Sequence, residues 1–350
     1  MANVLVTGSA GLIGSEAVRF FINKNYSVYG IDNNMRQYFF GKNASTKKTA
    51  DSLKCLSQYE HYNCDIRNYK ALEQIFNKHP FDIIIHTAAQ PSHDWAAKEP
   101  LTDFHINAVG TFNLLELTRL HCNDAVFVFT SSNKVYGDMP NYLPGLVEED
   151  MRYEVYDFNN NLYTINETMS IDQSEHSIFG ASKVAADIMV QEYGKYFGMQ
   201  TAIFRGGCLT GENHAGTELH GFLSYLVKCI VHNKHYNIFG YKGKQVRDNI
   251  YSADLINMFW HFIQNPRCGE VYNAGGGRDN STSILEAIDT INRINGSNWK
   301  NYDILEDNRI GDHIWYITNL SKFKLHYPEW DIKTSLFDLL VKMVKKEKML

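Results

Sequence analysis

A chain of 350 residues that is 44% hydrophobic is long enough for one large core, or for a core with a smaller second lobe. Its formal charge of −5, from 34 basic and 39 acidic residues with no long run of either sign, leaves no electrostatic footprint for nucleic acid or an anionic membrane. Six scattered cysteines (Cys55, Cys64, Cys122, Cys208, Cys229 and Cys268) lack the spacing of a zinc site or redox pair, so no metal is expected and the thiols read as reduced ones in a cytoplasmic protein. A strand begins almost at the first residue and no apolar run reaches the length of a membrane span, so neither secretion nor insertion is expected.

In chain order, the apolar run Val4-Leu5-Val6 is followed by a helical pattern over Glu16–Asn23. Then come the runs Ser27–Ile31, Ile83–Ile85 and Val126–Phe129, again separated by helical patterns. Such alternation implies βαβ units: an α/β fold of the doubly wound type, a parallel sheet with helices on both faces. After about residue 205 the alternation loosens around the turns Gly206-Gly207 and Gly275-Gly276-Gly277, which predicts a smaller C-terminal lobe.

Thr7-Gly8-Ser9-Ala10-Gly11-Leu12-Ile13-Gly14 stands between the first strand and the first helix. Glycines there let the backbone approach a pyrophosphate, which then rests on the free N–H groups and positive end of the helix. The second strand ends in Ile31-Asp32, whose carboxylate can accept hydrogen bonds from both ribose hydroxyls and repels a 2′-phosphate. NAD is therefore expected rather than NADP, with Arg36 nearby as the one opposing feature. Residues 1–205 are then a dinucleotide-binding domain of the Rossmann type, with later strands returning from about 235–275, and 206–350 mainly a substrate-binding lobe.

The spacing Gly8-x-x-Gly11-x-x-Gly14 resembles that of the extended short-chain dehydrogenase/reductase family, whose NAD-dependent members epimerise or dehydrate nucleotide sugars. Cys64-Asp65-Ile66-Arg67, His86-Thr87-Ala88-Ala89-Gln90 and Asn107 with Gly110-Thr111 resemble its further motifs in the same order. The resemblance implies that Gly8, Gly11, Leu12, Ile13, Gly14, Asp32, Asn33, Arg36, Asp65, Ile66, Thr87, Ala88, Ala89, Gln90, Asn107, Ser131 and Lys183 line the cofactor. It also implies a homodimer through two helices, with which the apolar stretch Val184-Ala185-Ala186-Ile188-Met189 is compatible, as it equally is with an ordinary buried helix.

In such a family the sugar hydroxyl loses its proton to a tyrosinate four residues before a lysine, so that both lie on one helical face and the ammonium lowers the phenol's pKa. Ser132 and Lys183 match the family's hydroxyl and lysine, but the tyrosine position is Phe179. Three readings stand open: a substitution made to disable the chain, a natural enzyme with its base elsewhere, or a binding protein without chemistry. For a surrogate base, His93 with adjoining Asp94 comes first, because an imidazole relays protons near neutrality; Lys183 and, more weakly, His176 follow. The alternative for His93 is a hydrogen bond to substrate or backbone.

On the substrate side, Gly243-Lys244-Gln245-Val246-Arg247-Asp248 and Arg309-Ile310-Gly311-Asp312 resemble the segments whose arginines hold the sugar nucleotide's diphosphate, a task suited to a planar fork of donors. His220, Gly221 and Phe222 fall where the family lays chain against the base, and His93 and Asn133 where it meets the sugar. Ser132–Asp138, His176–Lys183 and 243–248 resemble the CDP-paratose (CDP-tyvelose) 2-epimerase branch more closely than others. That resemblance implies oxidation of a sugar carbon and return of the hydride to its other face. The alternatives are an oxidoreductase releasing a keto sugar with net NADH, and a silent NAD- and nucleotide-sugar-binding protein. Where the 4,6-dehydratase branch carries an Asp-Glu pair, this chain has Asn133-Lys134.

Overall fold

The computed structural model describes residues 2–214, 216, 221–308 and 311–349. The expected alternation produces a seven-stranded sheet. Its order is Glu270–Ala274, Thr201–Gly206, Val126–Ser132, Ile83–His86, Asn3–Thr7, Ser27–Ile31 and Tyr59–Tyr62. The pairings that run from Tyr59–Tyr62 across to Val126–Ser132 are parallel, with Val4 opposite both Val28 and Ile83. Strand Ile83–His86 is buried at every position, as a central strand covered on both faces must be.

The chain divides into two compact units. The first comprises 1–135, 178–205 and 256–272; the second comprises 136–177, 206–255 and 273–350. Besides the large sheet, the first unit has a core of Leu5, Ile84, Leu114, Phe127, Val190 and Ile203 among others, all essentially inaccessible. The second unit packs the helices Phe222–Val231, Ile284–Asn295 and Leu336–Glu347 about Leu226, Ile238, Ile288 and Leu340. Strand Val246–Tyr251 pairs there with Ser281–Ser283, Trp315–Tyr316 and Cys208–Thr210.

A buried carboxyl joins three segments of that second unit. Asp248 is 1% exposed, and its Oδ2 accepts from the Gly277 and Thr318 backbone N–H groups at 2.9 and 3.1 Å. Burial pushes this acid up to about 6, so the fold holds a proton that the unfolded chain, with an ordinary carboxyl near 4, releases. Stability from this group therefore falls as pH rises from about 4 to 6, by roughly 3 kcal/mol, and is level above. Asp248→Asn, which keeps the carbonyl acceptor without the charge, is expected to gain on the parent across that window in denaturant melts and to hold a constant lead above pH 6. A difference independent of pH would refute the assignment.

Candidate active site

The turn after the first strand has the shape of a phosphate cradle. Gly8 is left-handed (φ 65°), and a Cβ on it would lie 2.9 Å from the Ala88 backbone; one on Gly14 would meet the Gly8 carbonyl at 2.1 Å. Helix Leu12–Asn23 begins at Gly11 with no side-chain cap and no acid in its first turn, so its N–H groups and dipole remain available to an anion. Asp32 follows the second strand, and its two oxygens accept from the Ala10 and Asn34 N–H groups at 3.0 and 2.8 Å. The carboxylate is thus aimed by the loop it serves. Asn33 donates to Asp65 at 3.1 Å, and Asp65 chelates Arg67; this draws two of the expected cofactor-lining residues together. Arg36 lies over the Phe40 ring, 5.0 Å from its centroid.

Behind the cradle runs a buried polar network that composition alone does not announce. His86 sits between the Thr7 and Thr111 hydroxyls at 2.7 and 2.9 Å. Burial, with help from the nearby Lys183 charge, holds it down to about 3, so it stays neutral. Asn107 lies in the π-turn His105–Val109. It grips both backbone groups of Gln90 at 3.0 Å and reaches Asp103 and Ser182 at 3.0 and 3.1 Å. Gln90 in turn donates to Asp103 and to the Ser92 carbonyl at 2.7 and 2.8 Å. Asp103 was not foreseen. The signal was present, because Asp103, Asn107 and Thr111 stand four residues apart along one helical stretch, a polar stripe where an apolar one is the rule.

Phe179 and Lys183 open the long helix Ser177–Phe197 one turn apart, 6% and 3% exposed. The ammonium donates to the Thr130 carbonyl at 2.8 Å and stands 4.3 Å from the centroid of Phe129. Burial, partly offset by Asp187 and Asp103, draws it down to about 8. The Ser131 hydroxyl donates to Asp187 at 2.7 Å, which also takes a bidentate contact from Arg205. Ser132 is half-buried, with its hydroxyl accepting from the Lys134 N–H at 3.2 Å. His93 heads the short helix His93–Lys98, and its ring lies 5.0 Å from that of Phe179 at an interplanar angle of 67°. Asp94, next to it, is exposed. His176 turns back on the Ser174 carbonyl at 2.9 Å.

In the second unit Arg247 is 9% exposed. It donates to its neighbour's carbonyl at Val246 and to Asp312 at 2.8 and 2.9 Å. Gly221 is left-handed (φ 84°) and precedes Phe222, the first residue of its helix. His220 and Arg309 lie outside the described residues. Among the described residues, no group of three or more His, Cys, Asp or Glu side chains forms a metal site, and no helix is long and apolar enough to cross a membrane.

The profile of the NAD-dependent epimerase/dehydratase family matches residues 4–275. This chain belongs to that family. Among curated relatives it is 30% identical to the CDP-paratose 2-epimerase of Salmonella typhi over 97% of both chains. It is 30% identical to a putative UDP-glucose 4-epimerase of Methanocaldococcus jannaschii over 82% of this chain and 81% of that one. Among solved structures, UDP-glucuronic acid 4-epimerase from Bacillus cereus, in complex with UDP-glucuronic acid and NAD, superposes with a TM-score of 0.77. It covers 99% of each chain at 24% identity. Membership makes NAD the cofactor, and the glycine cradle, the uncapped helix and Asp32 fit it. When bound, NAD would supply a reversible hydride acceptor.

Proposed function

We propose that this chain is a nucleotide-sugar epimerase of the CDP-paratose 2-epimerase kind. On this reading a sugar hydroxyl is oxidised transiently and the hydride returned to the opposite face, with no net redox change. The observation that carries the reading is the turn Asn133–Tyr136 after strand Val126–Ser132: a buried amide, Asn133, and Lys134 follow Ser132. A dehydratase needs a carboxylate there to remove the proton next to the new ketone, and neither side chain is one. Ser132 orients the hydroxyl, Asn133 and Phe222 contact the substrate, and Lys183 holds the nicotinamide ribose. Arg247, already braced by Asp312, is assigned to the diphosphate, with Arg309 as its partner and His220 and Gly221 against the base. The protein is read as cytoplasmic; none of its six cysteines is in a disulfide.

The test is to incubate the NAD-loaded protein with CDP-, UDP- and GDP-hexoses and follow both sugar NMR and absorbance at 340 nm. Inversion at one carbon without steady NADH is the expected result. Accumulating NADH would favour the oxidoreductase instead, and loss of water from the sugar would favour a dehydratase.

The same reading includes a homodimer. Phe112, Leu120, Ile188, Tyr196 and Phe197 are exposed on helices Gly110–His121 and Ser177–Phe197. Phe112 and Phe197 each meet the Tyr193 ring edge-on, 6.0 and 5.1 Å between centroids. An apolar band of this kind suits a self-complementary two-fold contact. Phe112→Glu, which places a charge in the band, is expected to shift the mass measured by light scattering from two chains to one. A parent that already runs as a monomer would remove the dimer from the proposal.

A further inference from the structure

Position 179 presents a ring with no titratable atom, yet the two groups expected beside a proton acceptor, a hydroxyl at Ser132 and a lysine one turn beyond position 179, are both in place. The acceptor has to be sought among what touches the Phe179 ring. The His93 imidazole does, edge to face at 5.0 Å.

Its placement is fixed from three directions. Gln90 is held at both backbone groups by Asn107, and its side chain bonds the Ser92 carbonyl and N–H. The buried Ser92 hydroxyl caps the helix by accepting from the Trp95 N–H at 3.3 Å. Trp95, 8% exposed, wedges against the Phe39 and Tyr38 rings, 4.6 and 5.6 Å between centroids. A histidine that only faced solvent would not require its preceding residues to be tied to the same asparagine that holds Ser182, the neighbour of Lys183.

We propose that His93 is the catalytic base of this site, packed on Phe179 and accepting the proton that a phenol at position 179 would otherwise take. The proposal rests on the epimerase reading. In the forward step the O–H and C–H bonds of one sugar carbinol break and a C=O bond forms. The proton passes to the neutral imidazole; bound NAD would supply the acceptor for the hydride and its electron pair. In the return step the imidazolium gives the proton back to the oxygen, and the cofactor would return the hydride to the opposite face of the carbon. No further oxidant or reductant enters. Charged groups on the elements that carry or pack against His93 include Asp94 on its own helix, Lys183 on the helix that carries Phe179 and Asp103, which accepts from Gln90. Gln90 and Asn107 act as positioning residues.

Two measurements test this on the full-length protein. In the first, NMR of histidine-labelled protein, with the His93 signal identified by its loss in His93→Gln, follows the imidazole titration with and without NAD. A base beside the nicotinamide is expected to titrate lower by roughly half a unit or more when the cationic ring binds. An unchanged titration would overturn the proposal, and this arm needs no substrate, so it stands even if the epimerase reading fails.

In the second, His93→Gln is expected to lower kcat on the order of 10²- to 10⁴-fold with NAD affinity and melting temperature unchanged. Phe179→Tyr in the same background is expected to restore turnover. Full activity in His93→Gln would refute the assignment. If Phe179→Tyr alone creates activity that the parent lacks, position 179 is a disabling substitution and His93 is not the base.

Discussion

Gly14→Ala is expected to weaken NAD binding on the order of 100-fold in calorimetric titration. In the middle of an ordinary helix the same change is favourable, since glycine costs about 1 kcal/mol relative to alanine there. Here the added methyl would stand 2.1 Å from the Gly8 carbonyl oxygen, 2.7 Å from its carbon and 2.9 Å from the Ser9 Cα. All three are backbone atoms, so no side chain can swing away. The helix must move off the turn, and with it the N–H groups and dipole end meant for the pyrophosphate. Gly11→Ala supplies the graded control. Its methyl meets only the Gly8 carbonyl, at 3.2 Å, so it is expected to lose far less affinity. Equal, small losses in the two variants would show that close backbone contact is not what shapes this cradle.

Glu154→Ala is expected to cost about 3 kcal/mol of stability, read as a lower denaturant midpoint with the loss felt first in the second unit. Glu154 is 5% exposed and accepts from both terminal nitrogens of Arg278 at 2.8 and 3.3 Å, from the Trp315 indole at 3.0 Å and from the Val155 N–H at 3.0 Å. Arg152 adds a contact at 3.5 Å. Truncation leaves an inaccessible indole N–H without an acceptor and two largely covered guanidinium groups without their shared anion. Losing one partner of a buried set costs far more than the set contributes over an apolar replacement. Glu154→Gln keeps the volume while removing the charge, and should recover little of the loss. A midpoint unchanged in both variants would mean that water replaces the carboxylate freely.

Much of the first unit was legible before any coordinates. The runs at 4–6, 27–31, 83–85 and 126–129 are strands in the parallel sheet, because alternating short apolar runs and helical patterns leave few other ways to bury both faces. The glycine spacing and Asp32 announced the cofactor for an equally local reason: the turn, the helix end and the acid lie within one βαβ unit, so sequence distance and spatial distance nearly coincide. The contacts of His93, Gln90 and Lys183 were of another kind. Gln90 meets Asn107 seventeen residues away, and Asn107 meets Ser182 seventy-five residues away. No period or motif encodes such a meeting. The same holds for Glu154, an ordinary acid in the chain and the centre of a charge cluster in the fold.

The amino-acid sequence by itself determined the sheet, the glycine turn, the acid Asp32 at the end of the second strand and the absence of a phenol at position 179. Each of these follows from steric or electrostatic rules acting over a few neighbouring residues. Only the tertiary structure decided what stands against the Phe179 ring, which buried amides and acids hold the loop that carries His93, and that Asp248 and Glu154 lie in places where water cannot pay for their charge. Those facts depend on which distant segments the packing brings together, and on the dielectric that burial then imposes on them.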